Sequence, residues 1–202
     1  MASPRLLLAS QSPRRRDILA TLGLSFDTEA VDADEAELPG ETPETYLERV
    51  VSAKLDLAIS AGARWKAAGV LVADTTVVLD GVMLAKPADE ADNRAMVNRL
   101  VGRTHQVMTR FALADLVGGR GTFGRTVVTK VHVRSLSPEQ IARYVATGEG
   151  RDKAGGYAIQ GLGSFAVSGI EGSYTNVVGL PAAEVVEALL VLGVLSAFPL
   201  PG

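Results

Sequence analysis

The stretch VLVADTTVVL, Val70 to Leu79, decides the fold. It is apolar on both of its faces, so it suits a strand buried at the centre of a sheet rather than one half in water. Asp80 and Gly81 supply a turn, and VMLAKP, Val82 to Pro87, returns as the hairpin partner. The one charge in the run is Asp74, on the same face as Val72 and Thr76. An unpaired carboxylate there is expensive, so Asp74 needs a partner, a metal, a raised pKa, or backbone amides at a strand distortion. Buried, perturbed acids concentrate at active sites, which makes Asp74 the leading catalytic candidate.

Lys86 is the nearest potential partner, and the hairpin's register decides the matter. A two-residue turn at Asp80 and Gly81 would set Lys86 opposite Thr75. A three-residue loop, Leu79 to Gly81 with Gly81 left-handed, would set it opposite Asp74. Glycine as third residue suits the longer loop, so the expectation is that Lys86 faces Asp74.

Upstream, RLLLASQS (Arg5 to Ser12) reads as a short strand followed by small polar residues, and a helix comes next. Ser12 is its N-cap, Pro13 fits its first position, and Gly23 can end it in a left-handed cap. Arg14, Arg15 and Arg16 fill the first turn, at the positive end of the helix dipole, where acids are favoured. That mismatch makes sense if an anion binds there, since free N–H groups and guanidinium forks both attract phosphate. The plainer reading is three solvated arginines. An acidic loop follows, VDADEAELPGE (Val31 to Glu41), in which Glu35 and Glu41 are candidates to help Asp74 hold magnesium or manganese. Thr42 and Pro43 then open a second helix, with an apolar stripe through Leu47, Val50, Val51, Leu55, Ala58 and Ile59. Lys54 falls inside that stripe, where a lysine ordinarily snorkels to water along its methylene stem.

Downstream, a capped helix is expected from Asp89 to about Val101. Strands follow at Val107 to Leu113 and Thr126 to Ser135, then a helix over Ser137 to Glu149 opened by a Ser137–Gln140 capping box. The glycine-rich tract GEGRDKAGGYAIQGLGS carries Asp152, Lys153 and Gln160 but lacks both the Walker pattern and the dinucleotide fingerprint. FAVSGI reads as a strand, and a last helix spans Ala182 to about Leu192. The sum is an α/β protein built on a mixed sheet, and the glycine-rich 150s are the best place for a hinge between two halves.

Composition narrows the function classes. A chain of 202 residues with 47% apolar and 21% charged residues is ordinary for a globular protein with one sizeable core. It has no cysteine, hence no disulfide framework or thiol chemistry, and its two histidines, His105 and His132, make a structural zinc site a poor fit. A net charge of −3 disfavours a nucleic-acid surface, so the clustered arginines point to a small anionic ligand. The most apolar stretch, Ala188 to Phe198, is about half a membrane span. A cytoplasmic protein with neither a nucleic acid nor a membrane as partner is expected.

Taken together, LLLASQSPRRRDIL, the acidic loop with ETPETYLERVVSAK, VADTTVVLDGVMLAKP, LVGRTHQVMT, DKAGGYAIQG and GSYTNVVGLP resemble the Maf family of nucleoside triphosphate pyrophosphatases, in the family's order, from Leu6 to Pro181. The resemblance implies an elongated mixed sheet flanked by helices in two lobes with a central cleft, similar to inosine triphosphate pyrophosphatases, as one domain over residues 1–202. It implies phosphate binding by Ser12, Arg14 and Arg15, an acidic-loop metal ligand at Glu35, and catalytic or phosphate-holding roles for Lys54, Asp74 and Lys86. Thr75 after the aspartate, and Gln160 in YAIQG, resemble the branch acting on dTTP and UTP rather than the one preferring 7-methylguanosine triphosphate. A neutral pyrimidine suits an amide that both donates and accepts. Gly156 and Ala158 stand where the family usually has alanine and glycine, and Leu55 where it usually has alanine. The implied cofactor is Mg2+ or Mn2+, with a homodimer as a possible assembly. The rival reading is a non-catalytic nucleotide sensor linked to septum formation through a protein partner.

Overall fold

The computed structural model describes residues 5–199. In chain order it contains β1 (Leu6–Leu8), α1 (Pro13–Thr21), β2 (Phe26–Thr28), α2 (Pro43–Trp65), β3 (Gly69–Leu79), β4 (Val82–Leu84), α3 (Glu90–Leu100), β5 (Thr104–Asp115), β6 (Thr122–Val133), α4 (Pro138–Ala146), β7 (Val167–Glu171), α5 (Tyr174–Val178) and α6 (Ala182–Val191). Seven strands form one sheet in the order β2-β1-β3-β5-β6-β7, with β4 paired to β3. β1 runs parallel to β2 and β3, whereas the β3–β4 and β6–β7 pairs are antiparallel. The mixed α/β sheet expected from the sequence is therefore present, and VLVADTTVVL is its central strand. No helix among the described residues is long and apolar enough to cross a membrane.

The chain divides into two compact units. Among the described residues, the first comprises 5–74, 109–127 and 179–199; the second comprises 75–108 and 128–178. The glycine-rich 150s lie inside the second unit, not at a boundary, so the hinge expected there is not where the chain passes from one unit to the other. Those passages fall within β3, β5 and β6 and between Val178 and Gly179.

In the first unit both faces of β3 are covered. Leu71 and Ala73 pack with Leu6, Leu8, Phe111 and Leu113 against Leu19 of α1 and Val185, Ala188 and Leu189 of α6. On the opposite face Val70 and Val72 join Leu7, Ala112 and Ala114 against Val51, Leu55 and Ala58 of α2. Leu6, Leu8, Leu19 and Leu71 are at most 1% exposed, and each contributes about 2 kcal/mol by burial. The second unit has its own core, in which Val77, Leu79, Leu84, Val107 and Val131 meet Val97 and Leu100 of α3 and Ile141 and Val145 of α4.

Most helix boundaries follow the capping signals. Thr42 and Ser137 each form a reciprocal capping box, with Thr45 and Gln140, and Asp89 accepts from the Asp92 amide. Gly23 takes the left-handed conformation that ends α1, at φ +70°. β2 is unannounced by the sequence because its three residues, Phe26 to Thr28, are too few to show a period. β5 runs longer than expected, and Phe165 and Ala166, expected to open the strand that is β7, close a 3-10 helix over Gly161–Ala166 instead.

The hairpin departs from expectation. Leu79 pairs with Val82 and Val77 with Leu84, so the loop has two residues, Asp80 and Gly81. Asp80 accepts φ +52° and Gly81 +79°, the doubly left-handed turn whose twist matches the flanking strands. The Asp80 carboxylate is also gripped by Arg103 Nη2, at 2.7 Å to each oxygen. In this register Lys86 falls in line with Thr75, not Asp74, and the pairing stops at Leu84 before reaching it.

Candidate active site

Two periodicities bring the first pair of candidates together. Along β3 the side chains alternate, so Asp74 shares the face of Val70 and Val72, which is the face covered by α2. Along α2 the stripe Leu47, Val50, Val51, Lys54, Leu55 and Ala58 is buried against the strands. Lys54 therefore does not snorkel. Its side chain is 8% exposed, and its Nζ lies 2.7 Å from Asp74 Oδ1 and 2.6 Å from Glu35 Oε1. Asp74 is 14% exposed and Glu35, on the loop, 50%. The partner that a buried Asp74 demanded is a lysine one helix away.

Of the two acidic-loop candidates, only Glu35 reaches this centre. Glu41 is held by Arg49 of α2, whose Nε and Nη2 donate to its two carboxylate oxygens at 2.6 and 2.8 Å. The guanidinium holds the Glu41 pKa down to about 2, with the Leu38 amide assisting. Arg49 also donates to the carbonyls of Ala36 at 2.8 Å and Asp34 at 3.4 Å, and Tyr46 donates its hydroxyl to the Glu35 carbonyl at 3.1 Å. Burial, then the charges of Asp74 and Glu35, push the Tyr46 hydroxyl up to about 12, so it stays a donor. Both lie in ETPETYLERVVSAK, one of the stretches that carry the family resemblance, but nothing in that stretch names their role. The available signal is their i, i+3 spacing, which puts both on one side of α2.

The three arginines at the start of α1 divide. Arg15 turns inward, its Nε donating to Gly179 O at 2.8 Å and its Nη1 to Ala73 O at 2.9 Å and Ser10 Oγ at 3.1 Å. Burial pushes its pKa down and the nearby Asp74 charge pulls it back up. It thus ties α1 to the residue preceding Asp74. Arg16 lines a shallow pocket with Ser10, Gln11, Thr28, Glu29 and Ala30, and Arg14 is half-buried in the first turn. Ser12 caps α1 through its backbone, and its hydroxyl makes no capping bond. No acid occupies that first turn, so the helix start retains the character of an anion site.

The other candidates belong to the second unit. Thr75, half-buried on β3, points to the opposite face from Asp74 by strand alternation. Lys86 is exposed on the extended segment after β4, and the neighbouring Ala85 carbonyl accepts from the Gly155 amide at 3.1 Å. Gln160 is exposed on the glycine-rich tract, which is held residue by residue. Asn93 Nδ2 donates to Gly156 O at 2.7 Å, Tyr157 Oη meets His105 Nε2 at 2.7 Å, and the Ala158 amide donates to Tyr144 Oη at 3.1 Å. Glu149 accepts the Leu162 and Gly163 amides at 2.8 and 2.7 Å. Gly156 adopts φ +72°, and a Cβ there would lie 2.1 Å from Asn93 Nδ2. Glycine at 156 with alanine at 158 is consistent with this backbone, because Ala158 is not among the positive-φ residues.

An α/β protein whose helix start lacks acids, and in which a strand carboxylate is paired with a buried lysine, has the make-up of one that binds an anionic ligand. More narrowly, residues 5–192 match the Maf-like protein family, and the chain belongs to it. It is 46% identical to a dTTP/UTP pyrophosphatase of Geobacter metallireducens, over 95% of this chain and 97% of that protein. It is 47% identical to a dTTP/UTP pyrophosphatase of Myxococcus xanthus, over 91% of this chain and 90% of that protein. Among solved structures, a HAM1 protein from Coxiella burnetii aligns with a TM-score of 0.49 at 14% identity, covering 93% of this chain and 98% of that one, a likeness too slight to inform the site.

Proposed function

We propose that this protein hydrolyses dTTP, UTP and related modified pyrimidine nucleotides to the monophosphate and pyrophosphate. The observation that supports this best is Lys54 Nζ, buried between the carboxylates of Asp74 and Glu35. Such a centre fits an anionic substrate with a cation, and the relatives' names supply the nucleotide.

The donor set suits a hard divalent ion. The Asp74 and Glu35 carboxylates both meet Lys54 Nζ and so stand near one another, and Mg2+ is commonly held by one or two carboxylates, the rest of its shell coming from water and substrate phosphates. No cluster of three or more His, Cys, Asp or Glu residues that could cage a metal occurs among the described residues. Glu35 and Asp74 would hold Mg2+ or Mn2+, which when bound neutralises phosphate charge and makes water more acidic. In the proposed reaction a water oxygen attacks the α-phosphorus, the bond to the bridging oxygen of the β-phosphate breaks, and pyrophosphate leaves. Asp74 serves this step through its negative charge, by removing the water's proton or by anchoring the cation. Arg14, Arg15, Ser12 and Lys54 bind the triphosphate and offset charge on the leaving group. Lys86 as a further phosphate ligand, and Thr75 and Gln160 as base readers, are roles that rest on the family resemblance alone. The chain is proposed to act as one catalytic domain in the cytoplasm, as a monomer or homodimer, clearing unwanted nucleotides.

A sensing role without chemistry is not favoured, since a sensor needs neither Asp74 nor Glu35 and both are kept beside Lys54. Purified protein incubated with dTTP or UTP and Mg2+ should release monophosphate and pyrophosphate in equal amounts. Release of orthophosphate, or no turnover of either nucleotide, would overturn the reading.

A further inference from the structure

Glu35 poses a problem of placement. It sits in residues 29–42, which contain no helix or strand, and its side chain is 50% exposed. Neither burial nor a ladder fixes it, and an irregular segment left to itself keeps the conformational freedom that folding must remove. We propose that Arg49 is a positioning residue, which sets where the Glu35 carboxylate stands by holding the backbone on both sides of it. The inference rests on the functional reading above.

The bonds converge on three consecutive carbonyls. Arg49 takes those of Asp34 and Ala36, and Tyr46 takes that of Glu35 between them. Glu41 fixes the guanidinium by a bidentate pair and also accepts the Leu38 amide at 2.9 Å, which closes the loop on itself. Tyr46, Arg49 and Lys54 all stand on α2, so one rigid helix fixes both the backbone of Glu35 and, at 2.6 Å, its carboxylate. The guanidinium lies 5.7 Å above the Tyr46 ring, which stacks the two side chains. Arginine is needed because its planar fork serves four contacts at once, whereas a lysine ammonium is a single point charge.

The test compares wild type, Arg49→Ala, Arg49→Lys, Tyr46→Phe, Glu35→Ala and the Arg49→Ala/Glu35→Ala double variant. Each is assayed for kcat and KM on dTTP with Mg2+, and for hydrogen exchange across residues 31–41. Misplacement of a catalytic group by about an ångström costs up to roughly 100-fold, so Arg49→Ala should lower kcat by roughly 10- to 100-fold with KM little changed. Arg49→Lys should recover part of that loss, and Tyr46→Phe should show a smaller loss in the same direction. The double variant should be no slower than Glu35→Ala alone, because Arg49 acts through Glu35. Exchange in residues 31–41 should speed up in Arg49→Ala while the rest of α2 stays protected. Multiplying losses in the double variant, an unchanged kcat in Arg49→Ala, or unchanged exchange would overturn the proposal. If wild type hydrolyses neither nucleotide, the functional reading fails, and exchange still judges whether Arg49 holds the loop.

Discussion

Residues 29–42 and residues 148–163 each carry one candidate for substrate handling, Glu35 and Gln160, and neither contains an α-helix or a strand. They are held by different combinations of means. The first is fixed by charged and polar side chains of α2 reaching out to its carbonyls. The second is fixed by side-chain bonds from Asn93, Tyr144 and Glu149 together with close backbone approach, Gly150 lying so near Gly156 that a Cβ would meet its carbonyl oxygen at 1.9 Å. A loop held by side chains tolerates changes of its own backbone but not loss of its holders. A tract that also relies on close backbone contact tolerates neither. The difference suits the proposed tasks, since a carboxylate that shares a cation must be set by charge, whereas a base reader needs a rigid frame.

The sharpest way to break the comparison is to ask whether chemistry belongs to the charge-held side. Asp74→Asn keeps shape and an oxygen near Lys54 but removes the charge, and loss of general-base function alone costs roughly 10²- to 10⁴-fold. We expect kcat on dTTP to fall by that much while circular dichroism keeps its native form. A rate within a few-fold of wild type would remove Asp74 from the chemistry.

Backbone substitution sharpens the contrast in stability. Gly150→Ala should cost about 3 kcal/mol or more, because the clash is with main chain that no rotamer change relieves. Gly40→Ala, in the acidic loop, has φ +82° but nothing within 4 Å of the new Cβ. Its cost should be only the left-handed penalty of about 1 kcal/mol. Urea unfolding of both variants measures the difference, and equal losses would mean that the two segments are not held differently.

What the sequence made legible follows from locality. Thr42 and Pro43 announced α2, its stripe contained Lys54 although the ordinary reading sent that lysine to water, and the double-faced apolar run made β3 central. Those periodicities suffice to put Asp74 and Lys54 on facing surfaces, although the carboxylate partner of Lys54 was beyond them. The hairpin register was not legible, because Asp-Gly serves both loop lengths and only Asp80's left-handed φ separates them. The inward bonds of Arg15 and the role of Arg49 were illegible for another reason. Most of their acceptors are main-chain carbonyls, at Gly179, Ala73, Ala36 and Asp34, and a carbonyl carries no residue identity.

Acid should separate the two segments. His105, 2% exposed against Tyr157, has its pKa lowered to about 4, first by burial and then by His132. The unfolded chain takes up that proton near pH 6.5, so the contribution is full above 6.5 and is lost as pH falls toward 4. The loss is on the order of 3 kcal/mol across that window. Glu41, held down to about 2, contributes above its unfolded value near 4.5 and loses that only as pH falls toward 2. Between pH 6.5 and 4.5, hydrogen exchange should therefore rise around Tyr157 before it rises in residues 31–41, and His105→Gln should flatten the first response. Simultaneous loosening of both segments would contradict the assignment.

The smallest effect concerns base choice and leaves the frame intact. Gln160 is exposed on a tract pinned on both sides, by Asn93, His105 and Tyr144 before it and by Glu149 after it. Gln160→Glu should therefore change what the side chain recognises without moving the chain that presents it. A carboxylate loses the donor that a pyrimidine carbonyl needs, and a site built on a hydrogen bond rejects a mispaired partner strongly. Because the residue is exposed, we expect a fall of about tenfold in kcat/KM for dTTP and UTP, with urea stability unchanged. Combined with Thr75→Gln, the variant should shift the ratio toward 7-methylguanosine triphosphate, whose cationic base a carboxylate can meet. The measurement is kcat/KM on both substrates for wild type, single and double variants. A constant ratio would mean that Gln160 does not face the base, and the tract's rigidity would then serve the phosphates or the fold rather than recognition.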